Sequence, residues 1–153
     1  MAVDMQKKVD AFMVRLLKRL AANVQLQMTY LGQECVNMAR DRGIDESWRD
    51  RTGNLRSSIG FAYYSEGRKL VESAFEVVAN GAAGSAKGKA LVDELARSLA
   101  SNYATLVVVA GMDYASYVET KRDVLASAEL FARSRVEDYV KTAVNDTIIA
   151  MNK

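Results

Sequence analysis

The sequence predicts an α+β fold, a small and mostly antiparallel sheet packed against long N-terminal and C-terminal helices. Three observations carry that prediction. Apolar residues recur at three- and four-residue steps over 4–39 and again over 127–151. An alternating segment from Ile59 is followed by a turn signal and a second apolar segment, which reads as a hairpin over 57–78. Ala104–Ala110 is an uncharged β-branched run, too short for a typical helix and suited to a strand covered on both faces. At 153 residues the chain is one domain, 1–153, long enough to bury a core.

In chain order, Met5, Val9, Phe12, Leu16, Leu20, Val24, Met28, Leu31, Cys35 and Met38 form the stripe of the first helix. Lys7, Lys8, Arg15, Lys18 and Arg19 lie largely off it and read as a solvated face, with phosphate contact as the second reading. A straight helix over 4–39 would be about 54 Å long. That exceeds the width of a small domain, so the helix either bends or breaks near Asn23 or Gly32 or finds a partner outside the domain. Cys35 sits on the stripe and reads as a small buried hydrophobe. Gly43 ends this region. Trp48, the single tryptophan, lies in a charged connector as a lid over the core edge or an interface anchor.

Thr52 is placed to cap a single turn that Leu55 pins to the core. Ile59, Phe61 and Tyr63 then alternate with Gly60, Ala62 and Tyr64 at strand period. The return strand is expected over Leu70–Val78, with Val71, Phe75 and Val77 on one face. Asn80–Lys89 (NGAAGSAKGK) has almost nothing to bury and reads as a flexible loop, followed by a short amphipathic helix over Ala90–Ala100. The strand at 104–110 is expected at the centre of the fold and feeds an aromatic helical turn ending in Glu119. The last helix buries Phe131, Val136, Tyr139, Val140, Ala143, Val144, Ile148 and Met151.

Composition removes several function classes. The chain has no histidine and one cysteine, so the commonest general base and a thiolate metal site are missing. No phosphate-binding loop, dinucleotide fingerprint or nucleophile elbow occurs. No catalytic, cofactor-binding or metal-binding residue is therefore assigned, and the chain reads as a non-enzyme. A net charge of +2 is too small to imply a nucleic-acid or membrane partner by itself. The lone cysteine points to a reducing compartment, and MAVDMQKK lacks the apolar core of a signal peptide.

Two segments, TGNLRSSI (Thr52–Ile59) and AGMDYASYVE (Ala110–Glu119), resemble the paired signatures of the small tail-completion, or head–tail joining, proteins of tailed bacteriophages. The motif residues are Thr52, Gly53, Leu55, Arg56, Ser58, Tyr114, Ala115, Tyr117, Val118 and Glu119. The order of elements around them also matches. The sequence departs from the family after Glu119, where Lys121–Leu130 replaces a glycine and a proline–aromatic element. The resemblance implies a non-enzymatic virion component without cofactor, made in the host cytoplasm and located at the head–tail junction. It implies a homo-oligomeric ring, six- or twelve-fold, joining the connector to the tail, with other neck and tail proteins as partners. DNA is then only passing cargo, and no membrane is involved. A tail terminator or another connector ring is the nearest alternative.

Arg56, Glu119, Tyr114, Tyr117 and Trp48 are the candidate interface residues. Glu119 is expected either to accept a hydrogen bond from Arg56, within a subunit or across to the next, or to be merely solvated alongside it. A small nucleic-acid-binding module using the basic residues of the first helix is the alternative of another class.

Overall fold

A computed structural model describes residues 1–42, 49–99 and 103–153. The elements are α1 (Ala2–Arg40), α2 (Asn54–Ser57), β1 (Ile59–Ser65), β2 (Arg68–Glu72), α3 (Ala82–Ser98), β3 (Thr105–Ala110), α4 (Ala115–Lys121) and α5 (Ala126–Met151). The three strands form one antiparallel sheet in the order β2-β1-β3. The fold is α+β, as the periodicities predict. The strand at 104–110 is an edge strand, however, and the sheet is centred on β1. β1 is buried along nearly its whole length, whereas most of β3 is half-buried.

The alternation in β1 explains why. Ile59, Phe61 and Tyr63 point to one face, where Leu31, Cys35, Val36 and Ala39 of α1 meet them. Ala62 and Tyr64 point to the other, against Val92 of α3. Helices thus cover both faces of the sheet, and α5 packs along α1 rather than squarely on the strands. The Tyr64 hydroxyl donates to the Val92 carbonyl at 2.5 Å, which satisfies a polar atom that burial would otherwise penalise.

α1 runs unbroken for 39 residues, about 58 Å at the usual rise. The two positions where a break was expected have other uses. Asn23 donates to Thr147 Oγ1 at 2.9 Å in the seam with α5. A Cβ on Gly32 would lie 2.6 Å from the Phe61 ring, so glycine there admits β1 against the helix.

The return strand is shorter than expected. After Glu72 the backbone leaves the ladder, with Ser73 still bonded to Phe61 through main chain and side chain, both at 2.9 Å. Phe75 has φ 48°, which turns its ring to the α3 side, away from Val71. Val77 is exposed. A strained residue persists only where its surroundings hold it. Here Ser85 Oγ donates to the Phe75 carbonyl at 2.7 Å, and the ring is seated between Gly60 and Gly88.

The expected loop over Asn80–Lys89 is largely helix, the first half of α3. Glycine in a helix costs about 1 kcal/mol against alanine, and the sequence contains no large apolar residue there to offset it. The offset is tertiary. A Cβ at Gly84 would sit 1.9 Å from the Asn54 carbonyl oxygen, and one at Gly88 would meet the Phe75 ring at 2.5 Å. The small residues therefore let α3 press onto α2, Phe75 and Gly111 at backbone distance.

α5 also differs from its expected stripe. Its buried positions are Ala128, Ala143 and Thr147, while Val136, Val140, Val144 and Ile148 are exposed. Small residues let the two long helices approach closely, and α1 covers only part of the apolar arc of α5.

Candidate functional site

The two signature segments, about fifty residues apart in sequence, form one structural unit. Ile59 pairs with Ala110 across β1 and β3, and Gly111 N donates to the Ser58 carbonyl at 3.1 Å. Leu55, Ile59 and Ala115 are buried in one cluster, with Val118 and Met112 packed against it.

Most of TGNLRSSI is consumed in holding this unit together. Thr52 Oγ1 accepts from Asn54 N at 3.2 Å, closing a local turn. Gly53 has φ 81°, and a Cβ there would fall 1.9 Å from the Val78 oxygen, so both space and backbone demand glycine. Asn54 Oδ1 accepts from Gly84 N at 3.1 Å and caps α3 from outside the helix. Ser57 Oγ accepts from Val78 N at 2.8 Å, and Ser58 Oγ donates to the Leu55 carbonyl at 2.7 Å. Arg56 donates its main-chain N–H to Asp50 at 3.0 Å and its guanidinium to the Arg42 carbonyl at 3.4 Å.

Glu119 has a similar structural task. Its carboxylate accepts from Val124 N and Leu125 N at 2.8 Å and from Ala126 N at 3.1 Å. These amides open α5, where the helix leaves donors without partners and a negative charge is favoured. Among the described residues no Arg56–Glu119 ion pair occurs within the chain. Arg42 instead pairs with Asp123 at 2.5 Å. Burial alone would raise the Asp123 pKa, but hydrogen bonds from Ser127 and Arg42 outweigh it and hold the carboxyl below its ordinary value. Asp123 and Glu119 together clamp the start of α5. No short-range capping pattern marks Glu119, which lies seven residues ahead of Ala126, so its role was invisible in the sequence.

Of the candidate interface residues, Tyr114 and Tyr117 remain at the surface, 42% and 67% exposed. Trp48 lies outside the described residues. Beside the capped helix start is a cavity of about 410 Å³ with an apolar floor of Ala110, Ala115, Val124 and Leu125 and with Glu119 and Glu129 at its lining.

Two features carry chemistry of opposite kinds. Cys35 is fully buried, and burial first, then the nearby Glu34 charge, pushes its thiol up to about 11. It is a protonated core residue rather than a nucleophile. At the far end of α1, Arg15, Lys18 and Arg19 converge with Lys153 on a groove of about 520 Å³ floored by Phe12, Ala22, Ala150 and Met151. Among the described residues no acidic side chain lines it. No group of three or more metal-ligating side chains occurs among the described residues, and no helix there is long and apolar enough to cross a membrane.

Comparison with protein-family models, curated proteins and solved structures finds no match.

Proposed function

We propose that this protein is a non-enzymatic virion component of a tailed bacteriophage that assembles into a ring at the head–tail interface. The observation that carries this reading is the juxtaposition of the two signature segments through Ser58–Gly111, Ile59–Ala110 and the Leu55–Ala115 cluster. Their buried residues build the body, and that leaves Tyr114 and Tyr117 displayed beside it. Exposed tyrosines offer large, stiff contact area with a polar tip, a composition enriched at interfaces. A closed ring needs two different faces per subunit, and the bare end of α1 is one of them. Light scattering with negative-stain imaging tests the reading. Six- or twelve-membered rings are expected, and the reading fails if the chain stays monomeric at high concentration and is missing from purified particles.

A second reading rests on the groove of Arg15, Lys18, Arg19 and Lys153. None of these four makes an ion pair among the described residues, whereas α5 neutralises Arg133, Arg135 and Lys141 with Glu129, Asp138 and Glu137. Unneutralised cations gathered on one groove are what a nucleic-acid backbone engages. Tight duplex binding by the isolated protein that falls steeply with salt would favour this reading. Weak binding that does not change with salt would dismiss it.

A further inference from the structure

The apolar stripe of α1 does not end where its cover ends. α5 runs antiparallel to α1, with Glu34 bonded to Tyr139 and Asn23 to Thr147, and its end at Met151 lies beside Phe12 and Arg19. At and beyond that point Phe12, Met13, Val9 and Met5 are exposed, on the continuation of the stripe that α5 covers further along. α5 stands on this same side of α1 and obstructs a flat surface. The vacant seat continues the line of a helix.

A second bare row exists. Val136, Val140, Val144 and Ile148 repeat at four-residue steps along α5, all exposed. From Met5 to Met13 is about 12 Å and from Val136 to Ile148 about 18 Å at the helical rise. The second row is long enough to seat the first. Charge then selects the pairing. The first nineteen residues hold five basic and two acidic side chains, so two such ends laid together would repel. Ala126–Met151 holds four acidic and three basic side chains, the bases paired with Glu129, Asp138 and Glu137, so Asp146 beside the row leaves it opposite in sign.

We propose that the bare N-terminal end of α1 docks on the Val136–Ile148 row of a second copy of this chain. The row and the end are different surfaces, so the contact is heterologous and propagates from subunit to subunit. This inference rests on the ring reading and names the surface that builds the ring. It is a helix-on-helix contact read by residues three and four apart.

Cysteine cross-linking tests it, because Cys35 is buried and gives no background. Val9→Cys and Val144→Cys proteins, mixed and oxidised, should give a disulfide-linked heterodimer, and neither should cross-link alone. The double variant should give a ladder of multimers. Val9→Asp should lower self-association about a hundredfold without unfolding the chain. Dimers from Val9→Cys alone would overturn the heterologous pairing. Rings that form with no Val9–Val144 cross-link would overturn the surface while leaving the ring reading intact. A chain that stays monomeric under all conditions would overturn both.

Discussion

The two halves of α1 share one apolar period and have opposite surroundings. From Met28 to Ala39 the stripe is buried against β1, β3 and the start of α5. From Val3 to Leu17 every large apolar residue except the half-buried Leu16 is exposed. Periodicity reports which residues share a face. It does not report whether the fold supplies anything to cover that face, which depends on where the neighbouring helix stops.

The sharpest way to break this comparison is to truncate one residue in each half. Leu31, 1% exposed, should cost about 3 kcal/mol on conversion to alanine, through lost burial and an unfilled cavity. Val9→Ala should change the monomer's stability by less than about 0.5 kcal/mol. Urea denaturation of both variants at low protein concentration measures the contrast. Equal losses would mean that the N-terminal end is covered within the chain.

Gly88→Ala extends the test to α3. Helix propensity alone predicts a gain of about 1 kcal/mol. Contact with Phe75 and the Gly111 approach predict a net loss of about 2 kcal/mol by overpacking. A stabilised variant would refute the tight seat.

Glu119→Ala should cost about 1–2 kcal/mol, since three helix-opening amides lose their acceptor. Hydrogen exchange should quicken at Val124, Leu125 and Ala126. If oligomerisation is lost while exchange there is unchanged, Glu119 acts between subunits instead.

The smallest effect concerns pH. Asp123 has a lowered pKa in the folded chain, so its contribution to stability is complete above the ordinary value of 3.8 and is lost as pH falls below it. Asp123→Asn should flatten the acid limb of the stability curve. An unchanged acid limb would show that the Arg42 and Ser127 contacts do not persist in solution.

Much of the body was legible because periodicity is local. The long helices, the β1 alternation and the 104–110 strand all appear within a few residues of their expected bounds. The candidate site was legible as a pair of segments but not as a set of roles. Arg56 and Glu119 were read as partners because their charges are opposite. Yet the donors that the Glu119 carboxylate accepts from are the main-chain amides of Val124, Leu125 and Ala126, and a backbone amide leaves no mark in the sequence.

The residue string by itself determined the class of each long element and which side chains share a face, because both follow from the helix and strand repeats. The folded chain alone decided that an alanine–glycine segment becomes helix, that β1 rather than β3 is central, and that half of α1 stays bare. Those outcomes depend on what stands opposite each segment: Asn54 against Gly84, Phe75 against Gly88, and the end of α5 beside Phe12.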